Sequence, residues 1–215
     1  MDEGGGDEEP LTKKLKDDNK MQMDALKYTV PWLNKLSDFV LVGETPPSEL
    51  SVMALCLRYK VNVIVNMNAT DETLVTRDGK KVRRDEAYRA FIAKNKLKVC
   101  FVRFPLEHGE FNKLKEGEAQ EEWVLNKCIA RKKLIPADVS RNKNMVYLFH
   151  GNDTMLREEE LVAAVFWALK WKKAVPKCIS EWCDQQGMVG YARDLRGVLD
   201  PAVDRARKSL PYMFY

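Results

Sequence analysis

The sequence predicts an α/β fold, a mostly parallel central sheet with helices on both faces. Runs rich in β-branched and aromatic residues recur at residues 38–43, 61–67, 98–104 and 145–150. The stretches between them space their apolar residues for helices. Strands alternating with helices close into a parallel sheet covered on both sides.

Residues 1–20 mix a Gly-rich acidic start with Lys13, Lys14, Lys16, Asp17, Asp18 and Lys20. They carry too little apolar surface to offset the entropy of ordering. The expected organisation is a disordered tail over 1–24, then one domain over 25–215 with a C-terminal helical extension. Asp38-Phe39-Val40-Leu41-Val42-Gly43 reads as a strand closed by Gly43 and the Pro46-Pro47 turn. Ser48 is placed to cap a helix carrying Leu50, Met53, Ala54 and Leu57 to about Tyr59.

Val61 to Met67 is the run expected at the centre of the sheet. Arg77-Asp78-Gly79-Lys80 reads as a turn between short extended pieces. Asp85 is placed to cap a helix bearing Ala87, Tyr88, Phe91 and Ile92 and ending near Leu97. Lys98 to Phe104 alternates and stops at Pro105, as a strand does. Glu118 to Leu134 reads as a helix with Trp123, Leu125, Cys128 and Ile129 inward, and a polar connection from Pro136 to Lys143 follows. Met145 to His150 is the next strand.

A loop, residues 151–157, then feeds a helix in which Leu161, Val162, Val165, Phe166 and Leu169 share one face. Further helices are expected from Pro176 to Gln186 and from Pro201 to before Pro211. Trp167, Trp171 and the apolar ending Tyr212 to Tyr215 are candidate contact surfaces.

At 215 residues the chain can bury a full core without disulfides or metal. No apolar run approaches the roughly 18 residues that span a bilayer, so no membrane association is expected. The first nine residues include five acids and no base, unlike a secretory or mitochondrial leader. The expected compartment is the cytoplasm, with the nucleus as alternative. Five scattered cysteines suit a reducing compartment, and no Cys-x-x-Cys pair is present. No metal and no cofactor is expected. The net charge of +4 is spread among acids, which permits nucleic-acid binding without indicating it.

A strand that feeds through a short loop into a helix gathers backbone N–H groups around one point, where an anion can sit. The candidate phosphate-binding residues are therefore Gly151, Asn152, Asp153, Thr154, Met155, Leu156 and Arg157. Gly151 to Glu160 holds one base, Arg157, against Asp153, Glu158, Glu159 and Glu160. The three glutamates complement the helix N-terminus, by about 0.3–1 kcal/mol each, and compete with an incoming anion.

His150-Gly151-x5-Arg157 between a strand and a long helix resembles the His-Cys-x5-Arg phosphate loop of the cysteine-dependent phosphatases, in particular their dual-specificity branch. The order of the pieces is similar too: the strand ending at Gly43, the Ser48 helix, the Val61 to Met67 strand, and Phe104-Pro105-Leu106 before the general-acid loop. The resemblance covers roughly residues 30–175 and implies a dual-specificity phosphatase-like fold.

In that family a cysteine thiolate attacks phosphorus, an arginine and loop amides hold the phosphate, a Ser or Thr follows the arginine, and an aspartate protonates the leaving oxygen. Here Gly151 stands at the cysteine position and offers no nucleophile. Thr154 replaces a loop glycine, Glu158 replaces the Ser or Thr, and either Glu107 or His108 falls near the general-acid place.

The resemblance therefore implies a pseudophosphatase, catalytically dead and acting as a protein-binding or scaffolding module. Arg157 has two readings: it pairs with Asp153 or a neighbouring glutamate, or it holds a phosphorylated ligand. The second makes the protein a phosphoresidue reader. RNA binding is a further alternative, since the superfamily includes RNA phosphatases. His150 reads as a hydrogen-bonded core histidine.

Overall fold

The structure is a computed structural model that describes residues 9–30, 33–68, 73–75, 80–106, 123, 126–127, 142, 144–151, 162–163, 166 and 208. Helix α1 (Glu9–Lys27) precedes a hairpin of β1 (Leu33–Ser37) and β2 (Val40–Glu44). Then come α2 (Glu49–Leu57), β3 (Val61–Asn66), β4 (Thr73–Val75), β5 (Lys81–Arg83), α3 (Arg84–Lys94), β6 (Cys100–Arg103) and β7 (Val146–Gly151).

Five strands form one sheet in the order β1-β2-β7-β3-β6, and β4 pairs with β5 separately. The pairs β2/β7, β7/β3 and β3/β6 are parallel; β1 joins β2 antiparallel. This is the mostly parallel α/β sheet that the sequence predicts.

Strand parity divides the core between two faces. Leu41, Leu148, Ile64 and Phe101 lie in register across β2, β7, β3 and β6, and they pack with Val52, Met53, Tyr88, Phe91 and other residues of α2 and α3. On the opposite face Tyr147 and Phe149 meet the helical residue Phe166, with ring centroids 4.8 and 5.4 Å away. Val162 and Ala163, also helical, are fully buried. Helices therefore cover both faces, and the central strands bury both of their sides.

Residues 9–24 are not the disordered tail expected of them. Their polar composition argues for disorder, but tertiary docking overrides it: Ala25 is wholly buried and Met21 and Tyr28 pack against the α2 cluster. The end of α1 is held by two side chains that follow α2. Arg58 Nη1 donates to Lys27 C=O at 2.9 Å and to Thr29 Oγ1 at 3.0 Å, while Val30 N–H donates to Tyr59 Oη at 3.1 Å. The Arg58 guanidinium also lies 5.5 Å from the Tyr59 ring centre. Arg58→Ala is expected to cost about 1 kcal/mol, the worth of an ordinary hydrogen bond, and to accelerate amide exchange in the last turn of α1 while leaving β3 and β7 unchanged.

The expected strand over 38–43 is a hairpin turn followed by a strand. Asp38 and Phe39 form the turn, where Ser37 Oγ accepts from Phe39 N–H at 3.2 Å and from Val40 N–H at 3.1 Å. Lys35 Nζ sits 2.7 Å from Asp38, and this pair, with its hydrogen bond, lowers the Asp38 carboxyl below its ordinary value. The α2 cap is as expected, with Ser48 Oγ accepting from Ser51 N–H at 3.2 Å.

Asp85 does not cap α3. The N-cap is Arg83, without a side-chain cap bond, and Asp85 lies in the first turn with its carboxylate buried under the sheet. The strand expected over 98–104 is regular only from Cys100 to Arg103.

The turn expected at 77–80 lies, but for Lys80, outside the described residues, and β4 and β5 on either side of it pair antiparallel. Trp123 is helical and buried. Apart from residues 123 and 126–127, the helix expected over 118–134 lies outside the described residues. So do the helices from 176 to 186 and from 201 to 211, except helical Lys208, and the contact candidates Trp167, Trp171 and Tyr212 to Tyr215.

Candidate functional site

Parallel strands aim their carboxyl ends at one edge, where ligands of such sheets bind. Here that edge is formed by Gly43 and Glu44 of β2, His150 and Gly151 of β7, Asn66 of β3 and Arg103 of β6, which stand in register. Backbone bonds carry the pairing past the strand ends. Met67 N–H donates to His150 C=O at 2.8 Å, Leu106 N–H to Met67 C=O at 3.0 Å, and Phe104 N–H to Asn66 C=O at 2.7 Å. Leu106 is fully buried. The entries to the 107 segment and to the 152 segment therefore start from the same edge.

Gly151 ends β7 and is buried, and its carbonyl accepts from Thr45 Oγ1 at 3.1 Å. Thr45 Oγ1 in turn accepts from Asn68 Nδ2 at 2.9 Å, and Asn68 N–H donates to Asn66 Oδ1 at 2.9 Å. Asn66 Nδ2 donates to Asp85 Oδ1 at 2.5 Å. Arg103 Nη1 lies 3.7 Å from Asp85 Oδ2. These side chains form one continuous buried chain of polar contacts from the loop entry to the start of α3. Hydrogen bonds in a buried chain are costly to break singly, although Asn68 Oδ1 itself has no hydrogen-bond partner among the described residues.

Below the loop entry, His150 takes its place in the Gly43–His150–Asn66–Arg103 row, on the face covered by α2 and α3. It is completely buried, and neither ring nitrogen has a hydrogen-bond partner among the described residues. The residue is core, as expected, and the hydrogen bond expected for its ring is not made to any of the described residues. Burial first, and then the Arg84 guanidinium, push its imidazole down to about 3, so the ring is neutral.

Of the residues singled out from sequence, Gly151 and His150 are placed at this edge. Asn152, Asp153, Thr154, Met155, Leu156, Arg157 and Glu158, together with Glu107 and His108, lie outside the described residues. Sequence reasoning missed Thr45, Asn66, Asn68, Asp85 and Arg103. The Asn66-x-Asn68 spacing at the end of an apolar run was the available signal, because amides there must find partners beyond the ladder.

Two described cysteines bear on the chemistry. Cys56 on α2 is half-buried, and burial pushes its thiol up to about 12, so it stays protonated. Cys100 opens β6, opposite Val63 and away from the carboxyl edge. No group of three or more metal-ligating side chains occurs among the described residues, and no helix among them is long and apolar enough to cross a membrane.

No family model and no curated protein matches the chain. Among solved structures it is similar to PTPMT1 in complex with PI(5)P, at 14% identity and a TM-score of 0.47, over 81% of this chain and 99% of that one. It is also similar to a second crystal structure of PTPMT1, at 13% identity and a TM-score of 0.44, over 83% of this chain and 100% of the other. Likenesses this distant carry no argument about chemistry, and the fold described above rests on strand order and register.

Proposed function

We propose that this chain is a pseudophosphatase of the dual-specificity type, catalytically dead and acting as a protein-binding or scaffolding module in the cytoplasm. The observation that carries the proposal is Gly151. It ends the middle strand of the sheet, at the carboxyl edge where the family resemblance puts the attacking cysteine. A glycine has no atom beyond Cα with which to attack phosphorus, so no covalent phosphoenzyme can form at this position.

Neither described cysteine offers a substitute, since Cys56 is held as the thiol and Cys100 begins its strand at the far end. The loop sequence supports the same reading: Glu158 follows Arg157, and Asp153 precedes it, so an incoming dianion meets carboxylates. Such a loop serves better as a braced structural corner than as a catalyst, and the partner expected is another protein.

Two arms test this. Gly151→Cys restores a thiol but leaves Thr154 and Glu158, and turnover of an aryl phosphate is expected to stay at the blank. Robust turnover by that single variant would show the loop to be intact apart from one atom. Titration of phosphotyrosine and phosphothreonine peptides is expected to give no saturable binding up to millimolar ligand. Saturable binding lost in Arg157→Ala would replace the scaffold by a phosphoresidue reader.

A further inference from the structure

The polar chain from Gly151 to Asp85 does not include the His150 ring. That ring is buried without a hydrogen-bond partner among the described residues, an arrangement that costs free energy even for a neutral imidazole. Neither of its in-register neighbours offers a disengaged side-chain acceptor. The neighbour in register on β2 is Gly43, which has no side chain. On β3 it is Asn66, whose Oδ1 is taken by Asn68 N–H and whose Nδ2 is given to Asp85.

Among the described residues, the charged groups nearest this row are Arg84, whose guanidinium acts on the imidazole, Asp85 beside it in the first turn of α3, and Arg103 of β6; further along the same face Arg89 of α3 lies 4.9 Å from the Phe101 ring centre, and Glu49 opens α2. The buried residues of α2, Ser51 to Leu55, contribute no charge. Glu44, one residue beyond Gly43, has the opposite parity and is exposed. Two guanidiniums against one carboxylate make the row inhospitable to another positive charge.

We propose that His150 is an acid-sensitive latch on the loop-bearing edge: the closed edge accepts only the neutral ring, and protonation requires an opened edge. In the open form the ring leaves the row, the His150 carbonyl releases Met67 N–H, and the Gly151 carbonyl releases Thr45. The segment that follows Gly151 then loses its anchor. This device does not depend on the binding role proposed above.

The direction follows from linkage. The closed form holds the imidazole near 3, whereas an exposed imidazole takes a proton at its ordinary 6.5. The stabilisation of the closed edge is complete above 6.5 and is lost as pH falls between those values. The open population grows by about tenfold per pH unit well inside that window. Carboxylates titrate mainly below about pH 5, so the interval from 6.5 to 5 isolates the histidine.

The test uses the full chain labelled with 13C and 15N in histidine; the sequence has only His108 and His150, and His108→Gln assigns the pair. The His150 ring is expected to remain neutral from pH 8 to 5. Protection of the Met67 amide, corrected for intrinsic exchange, is expected to fall by roughly tenfold between pH 6.5 and 5. In His150→Leu that fall is expected to vanish. A His150 ring that titrates near 6.5 in the native protein, or Met67 protection that stays flat in the wild-type chain, overturns the proposal even if His150→Leu does not fold.

Discussion

Asn66→Asp is expected to destabilise the protein by about 3–5 kcal/mol at neutral pH, the cost of leaving a buried charge uncompensated. Asn66 Nδ2 now donates to Asp85 Oδ1 at 2.5 Å, so the variant brings a second carboxylate oxygen to that distance from the first. Both residues are buried, at 4% and 7% exposure, too little for water to screen the repulsion. Arg103, at 3.7 Å from the far oxygen of Asp85, compensates only in part.

Acid supplies the internal check. A proton on either carboxyl rebuilds an O–H···O bond in place of the lost N–H···O bond, so the gap between wild type and variant should narrow as pH falls from 7 toward 5. Asn66→Leu removes the same hydrogen bonds without adding charge, and its deficit should not narrow in that way. Urea unfolding of the three proteins at both pH values reads the difference directly.

Phe149→Ala is expected to cost about 3–5 kcal/mol for the cavity and the lost transfer energy. Phe149 is fully buried, stacks on Tyr147 with centroids 6.3 Å apart and meets Phe166 at 5.4 Å. It sits between Val42 and Val65 in register, one residue before His150, so the cavity opens directly behind the carboxyl edge. Loss of stability should therefore be accompanied by looser pairing at Met67 and Thr45. A double-mutant cycle of Phe149→Ala with Phe166→Ala should show coupling of about 0.5–1.5 kcal/mol if the ring pair contributes beyond its area. Additivity would show that each ring acts only through the volume it fills.

The sheet was legible where a strand is buried on both faces. Val61 to Met67 and Met145 to His150 owe their apolar runs to that burial, and their place in the middle of the sheet follows. Strand β1 was not legible, because an edge strand needs few apolar positions: Leu36 is buried in Leu33–Ser37, while Lys35 faces solvent. Helix α1 was hidden for a related reason. Its polar composition is compatible with disorder, and its order depends on a narrow stripe at Met21 and Ala25 and on anchors from Arg58 and Tyr59, more than 25 residues away.

Asp85 shows local propensity losing to tertiary structure. Aspartate before a helical run is a fair cap, but a buried amide at Asn66 and a guanidinium at Arg103 offer it stronger partners. At the candidate site, His150 was legible as the end of a strand and Gly151 as the start of the loop, and the structure carries the strand one residue further, to Gly151. The Thr45–Asn68–Asn66–Asp85 chain was not, since its members come from separate elements and meet only after the sheet has formed.

The absence of a nucleophile at the loop entry is tested most directly by phosphate release from an aryl phosphate, using the full wild-type chain freed of contaminating phosphatases. Uncatalysed hydrolysis of such an ester is very slow, so the proposed lack of catalysis predicts a rate with protein equal to the buffer blank. Turnover that rises in proportion to protein concentration and disappears in Arg157→Ala would contradict the proposal, because it would place a working phosphoryl-transfer site at a loop entered through Gly151.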